Sequence, residues 1–167
     1  EVAVKLRTFM KEKAKTIHQL VKRAEHLGQS LCDQFPPFVL CHSDIHGGNV
    51  LMDKNDKIFI VDWDDPIMAP KERDLMFIGA GVANVWNQPH EEEAFYKGYG
   101  KTAVNREILA YYRYERIVED IADFAQQLLL ITEGGQDRGE AYKHFMGQFE
   151  RSGVVDIAFK TDNKSLF

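Results

Sequence analysis

His42-Ser43-Asp44-Ile45-His46-Gly47-Gly48-Asn49, followed by Ile60-Val61-Asp62-Trp63-Asp64, is the most telling part of this 167-residue chain. It contains an aspartate, an asparagine five residues on, and another aspartate thirteen residues after that. Phosphoryl transfer needs such a set: a carboxylate to take the proton of an attacking hydroxyl, and oxygen ligands to hold magnesium against nucleotide phosphates. The flanking sequence lets the three meet. Phe38-Val39-Leu40-Cys41, Asn49-Val50-Leu51-Met52 and Lys57-Ile58-Phe59-Ile60-Val61 read as strands, with Lys54-Asn55-Asp56 as a tight turn between the last two. Closing that hairpin carries Asp62 to the loop that bears Asp44 and Asn49.

Outside this stretch the pattern is helical. Residues 4–28 carry an apolar stripe at Leu6, Phe9 or Met10, Ile17, Leu20, Ala24 and Leu27, with Gly28 as the expected stop. Residues 71–86 are mostly apolar and predict a buried central helix. A short helix is predicted over 91–99, and a long amphipathic one over 106–131, with Asn105 as N-cap and Gly134-Gly135 as terminator. Residues 137–151 are expected to close the bundle. No repeat or long linker interrupts the chain, so residues 1–167 are expected to form one α+β domain, a small β-hairpin system set on helices.

Composition narrows the function classes. At 44 % hydrophobic residues the chain can bury one substantial core. A net charge of -5 and the lack of a dense Lys/Arg tract argue against nucleic-acid binding. Lys11-Glu12-Lys13-Ala14-Lys15 falls inside a helical pattern and reads as a solvated face. No apolar stretch reaches the roughly 18 residues of a membrane span, and no secretory signal is visible. Cys32 and Cys41 are expected to be reduced thiols of a cytoplasmic protein.

His-x-Asp-x-x-x-x-Asn, then an apolar strand, a turn and Val-Asp-Trp-Asp, resembles the aminoglycoside phosphotransferase family, small-molecule kinases with a protein-kinase-like fold. Met68-Ala69-Pro70-Lys71-Glu72-Arg73-Asp74-Leu75 continues the likeness, and its wording is most similar to the spectinomycin kinase branch. The strong motifs cover residues 38 to 79. The resemblance implies the carboxy-terminal lobe of that fold, with Asp44 as catalytic base and Asn49 and Asp62 as magnesium ligands. It also implies that Asp74 accepts hydrogen bonds from the catalytic-loop backbone. His46 falls where kinases often reach the transferred phosphoryl group, or else it scaffolds the loop. Leu51 and Val61 fall where apolar side chains floor the adenine ring, or the guanine if GTP is used in place of ATP. His42 is read as structural support. Asp64 either joins a metal shell or solvates the strand end.

The departures from protein kinases matter as well. Ser43 stands where many of those enzymes have an arginine for a phosphorylated activation loop. Only Pro66 to Lys71 separate Asp65 from Glu72, too few residues for such a loop. A small-molecule acceptor follows, and phospho-switching of that kind does not. No Gly-rich phosphate loop and no Val-Ala-x-Lys pattern occurs, and the chain opens on Glu1 inside a helical pattern. The expectation is one lobe of a longer protein whose amino-terminal nucleotide lobe lies outside this sequence.

Glu115, Glu119 and Asp123 recur every four residues, so they share a helix face. A cationic amino-sugar would relieve their mutual repulsion, which makes Glu119 and Asp123 substrate-binding candidates. The alternative is a solvent face balanced by Arg113 and Arg116, the latter four residues from Asp120. Choline-like, amino-alcohol or sugar acceptors would use the same loop. Two other classes stay open. His42, Asp44 and His46, with Asp62 and Asp64, could ligate zinc or manganese in a hydrolase. A pseudokinase-like scaffold is the non-enzymatic reading, although all three key side chains are present.

Overall fold

The computed structural model describes residues 1–82, 85–131 and 137–163. Its centre is α5 (Arg106–Ala125), which buries Ile108, Leu109, Ala110, Tyr114, Ile117 and Ile121 at helical spacing. The Asn105 side chain starts this helix by accepting the N–H groups of Glu107 and Ile108, two donors with no partner inside the helix. Around it pack α1 (Val2–Glu12), α2 (Ala14–Leu31), α6 (Asp137–Gly147) and α7 (Val154–Thr161). Leu6, Leu20, Tyr114, Leu128, Phe145 and Val155 are fully enclosed in the resulting core. Each such side chain contributes about 1.5–3 kcal/mol on leaving water.

The strands form two antiparallel pairs. β2 (Val50–Met52) and β3 (Ile58–Ile60) make the hairpin predicted from the sequence, with Val50 opposite Ile60. Asp53 closes its turn, its Oδ1 accepting the N–H groups of Asn55 at 2.8 Å and Lys57 at 2.9 Å. β1 (Val39–Cys41) pairs with β4 (Ile67–Ala69), Val39 opposite Ala69. Half of the six residues between Asp65 and Glu72 are thus a strand laid along β1. A short α3 (Glu72–Leu75) follows, and the buried Glu72 carboxylate accepts the N–H of Asn105 at 2.9 Å, which ties α3 to the start of α5. α4 (Pro89–Tyr99) begins on a reciprocal cap between Gln88 and Glu91.

Four expectations are corrected. Residues 71–86 do not form a long central helix: after α3 the chain turns at Gly79 and Gly81, with φ of 74° and 65°. A Cβ on Gly81 would lie 1.8 Å from the Val85 carbonyl oxygen, so the close turn requires glycine there. Leu75, Met76 and Phe77 still bury, in a second, smaller cluster with Leu109. The first helical stretch is two helices, broken at Lys13. Gly28 does not stop the second, which runs to Leu31. A Cβ on Gly28 would meet the Tyr111 ring at 3.1 Å, so this glycine lets α2 approach α5. Finally, α6 ends at Gly147, and α7 closes the bundle by burying Val155, Ala158 and Phe159 against α5. Residues 134 and 135, expected to terminate the long helix, lie outside the described residues, as do 83 and 84.

Both thiols are free, Cys32 exposed and Cys41 buried. Among the described residues no helix is long and apolar enough to cross a membrane.

Candidate active site

The loop after β1 is fixed from below by α3. Asp74 accepts the N–H of His42 at 3.0 Å with one carboxylate oxygen and that of Ser43 at 2.8 Å with the other. Ser43 adopts a left-handed backbone, φ 71°, a conformation that costs a non-glycine residue energy and persists only when its surroundings enforce it. Its hydroxyl donates to the Asp65 carbonyl at 2.7 Å, so the segment leading to β4 is held to the loop without any phosphate.

His42 is 2 % exposed and stacks at a tilt on Trp63, with ring centroids 4.5 Å apart. The Asp44 N–H points at its Nδ1 at 3.3 Å, which leaves the proton on Nε2, donated to the Val61 carbonyl at 2.8 Å. Both ring nitrogens are thereby committed to the backbone. Val61 in turn donates its N–H to the Asn49 carbonyl at 3.0 Å, so hairpin and loop form one unit. Asp62 leaves this junction at φ 68° with an exposed carboxylate that accepts no hydrogen bond from any described residue.

Asp44 and Asn49 are in contact. The Asn49 amide nitrogen donates to the Asp44 carbonyl at 2.9 Å and lies 3.5 Å from its Oδ2. With its nitrogen so engaged, Asn49 has its amide oxygen left for a cation. One neutral and one anionic oxygen donor suit magnesium, a hard ion that keeps several waters, and Asn49 and Asp62 are the residues that would hold it. A zinc site fits poorly: His42 has no free lone pair, and among the described residues no three His, Cys, Asp or Glu side chains are grouped to hold a metal.

His46 accepts the Gly48 N–H on Nδ1 at 3.1 Å and places Nε2 3.7 Å from Asp44 Oδ2. Its ring lies between Trp86, stacked at 5.7 Å, and the edge of Phe77 at 5.9 Å. A side chain on Gly47 would come within 2.7 Å of the Trp86 ring, which explains the glycine after His46. Beyond this wall opens a largely apolar cavity of about 650 Å³, with His46, Phe77, Trp86, Phe95, Glu91 and Glu92 among its lining. Leu51 and Val61 lie on the hairpin, 51 % and 36 % exposed.

Glu119 lines a groove between α2 and α5 with Gly28, Tyr111 and Glu115, and no residue of the Asp44 loop belongs to it. Asp123 is exposed one turn further along. Charges on this helix are partly matched: Arg73 pairs with Glu115 at 3.2 Å, and Tyr111 donates to the same carboxylate at 2.6 Å. The α5 side chain that does reach the loop is Arg116, its Nη1 3.0 Å from Asp44 Oδ1 and its Nε 3.0 Å from Asp120 Oδ1. Sequence spacing exposed the Arg116–Asp120 pair. No local signal pointed to Asp44, 72 residues away.

The chain is similar to two crystal structures of spectinomycin phosphotransferase, APH(9)-Ia. One is a complex with ADP and spectinomycin, at 48% identity and a TM-score of 0.83. The other is an AMP-bound complex, at 48% identity and a TM-score of 0.82. Each likeness covers 97% of this chain, which spans only 49% and 50% of those chains. No curated protein matches. A family model described as phosphotransferase enzyme family, APH, matches residues 5–113, nearly two thirds of the sequence and the whole loop–hairpin unit built around Asp44. The chain is therefore a member of the APH phosphotransferase family.

Proposed function

We propose that this chain is the catalytic lobe of a kinase that transfers the γ-phosphoryl group of ATP or GTP to a hydroxyl of a small molecule. The acceptor we favour is an aminoglycoside or aminocyclitol such as spectinomycin. The carrying observation is that Asp44 and Asn49 touch while the hairpin bearing Asp62 is bonded to the same loop. In this reading Asp44 accepts the proton of the acceptor hydroxyl, whose oxygen then bonds to the γ-phosphorus as the nucleoside diphosphate departs. Asn49 and Asp62 hold magnesium, which when bound offsets the charge of the phosphates. His46 faces the transferred group, and Leu51 and Val61 lie under the base of the nucleotide. Asp74 and His42 keep the loop in place.

Several features support this. The solved relative binds ADP and spectinomycin. Leu40, Leu51, Met52, Ile58 and Met68 leave an unusually apolar strand surface open to solvent, at 65, 51, 68, 63 and 60 % exposure. A nucleotide lobe would cover it, and the relatives' chains, about twice as long, leave room for one. The cavity beside His46 would admit the acceptor, whereas Glu119 lines the separate groove between α2 and α5, so a cationic acceptor bound in the cavity would not meet it there. Asp44→Asn in the full-length enzyme tests the assignment. We expect kcat to fall by roughly 10²-fold or more with nucleotide affinity almost unchanged, because a base acts on the chemical step. Near-normal turnover would remove Asp44 from that role.

A further inference from the structure

A carboxylate base offers two oxygens, and proton transfer is efficient only if the right one is aimed at the acceptor. In Asp44 the two oxygens are not equivalent. Oδ1 has no solvent contact and no aligned hydrogen bond, and its charge is met by the Arg116 guanidinium at 3.0 Å. Oδ2 has only looser neighbours, Asn49 Nδ2 at 3.5 Å and His46 Nε2 at 3.7 Å. Arg116 is itself held from two further sides, and its carboxylate partner is held in turn. Its Nε pairs with Asp120 at 3.0 Å, its guanidinium lies 5.9 Å above the centre of the Phe77 ring, and the buried Gln148 steadies Asp120 from α6's end with a hydrogen bond of 3.3 Å. Only a planar, forked cation meets two carboxylates on different edges in this way. Asp120 also balances the charge, so the guanidinium can orient the base without leaving it opposite an unshared cation.

We propose that Arg116 is a positioning residue for the reaction: held by Asp120, it pins Oδ1 of Asp44 and leaves Oδ2 as the oxygen that receives the acceptor's proton. The inference rests on the phosphotransferase reading above. In the step it serves, the acceptor O–H bond breaks and its proton passes to Oδ2. The freed electron pair forms the new O–P bond, and the bond from the γ-phosphorus to the β,γ-bridging oxygen breaks to release nucleoside diphosphate.

The test uses the full-length enzyme with magnesium-ATP and spectinomycin. Arg116→Gln should lower kcat by roughly 10-fold or more and leave both KM values within about twofold, as expected when geometry for the chemical step alone is lost. Arg116→Lys, which keeps the charge but not the fork, should fall between wild type and Arg116→Gln, and it substitutes if the glutamine variant does not fold. The decisive arm is the cycle with Asp44→Asn. Because Arg116 acts through Asp44, the double variant should be no slower than Asp44→Asn alone. Wild-type kcat in Arg116→Gln, a change confined to acceptor KM, or losses that multiply in the double variant would each overturn the proposal. A wild-type enzyme unable to phosphorylate the acceptor would instead overturn the parent reading, and Arg116's role with it.

Discussion

Replacing Asp74 by alanine removes both acceptors that hold the loop after β1. Its two carboxylate oxygens take the N–H groups of His42 and Ser43 at 3.0 and 2.8 Å, and those residues are only 2 % and 7 % exposed. Water cannot easily replace such partners. An unpaired buried N–H costs about 1–3 kcal/mol, so two lost bonds should cost roughly 2–6 kcal/mol, with some recovered as the loop relaxes. Ser43, at φ 71°, is the first place it would relax, because its left-handed backbone loses the bond that enforces it. Taking a net loss of about 3 kcal/mol and about 2–4 °C per kcal/mol for a domain of this size, Tm should drop by roughly 6–12 °C. Calorimetric melting of the purified chain, with urea titration for the free energy, measures this directly. In the full-length enzyme kcat should fall too, since Asp44 follows Ser43. A Tm within a degree of wild type would refute the reasoning, showing that the loop holds its shape without Asp74.

Two further outcomes separate roles within the site and its surroundings. On the proposed assignment Asn49→Ala and Asp62→Ala should raise the KM for magnesium-nucleotide as well as lower kcat, because these two residues would hold the ion that neutralises the phosphates; an unchanged nucleotide KM would exclude them as ligands. Asp120 has its carboxyl pushed up to about 6, first by burial, with Asp123 and Glu119 adding to the rise and Arg116 opposing it. Between the ordinary aspartate range and about 6 the folded state holds a proton that the unfolded chain has released. Stability should therefore decrease as pH rises through that window, by up to about 3 kcal/mol in all. Asp120→Asn should flatten this part of the urea-derived pH profile, and an identical profile in the variant would contradict it.

Local grammar made much of the molecule legible. The β2–β3 hairpin was readable because Asp53 to Lys57 close a turn with their own side chains and backbone, needing nothing from elsewhere. Asn105 likewise announced the start of α5 by capping it. The candidate site was readable as a motif because Asp44 and Asn49 lie five residues apart in one loop. Distance in the chain defeated the rest. Residues 71–86 read as the central helix on apolar content, but the helix stops at Leu75, the chain turns on through Gly79 and Gly81, and α5 takes the centre. Gly28 looked like a stop until the Tyr111 ring on α5 supplied its reason.

The sequence alone determined which residues form the Asp44 loop and its hairpin, because turn chemistry, strand alternation and motif spacing act over fewer than about ten residues. Only the tertiary structure decided which two N–H groups Asp74 accepts, which histidine nitrogens are engaged, and that Arg116 of α5 meets Asp44. These depend on the packing of α3 and α5 beneath the strands. Such packing is set by the burial of Leu75, Phe77 and Leu109 together, a collective fit that no local pattern encodes.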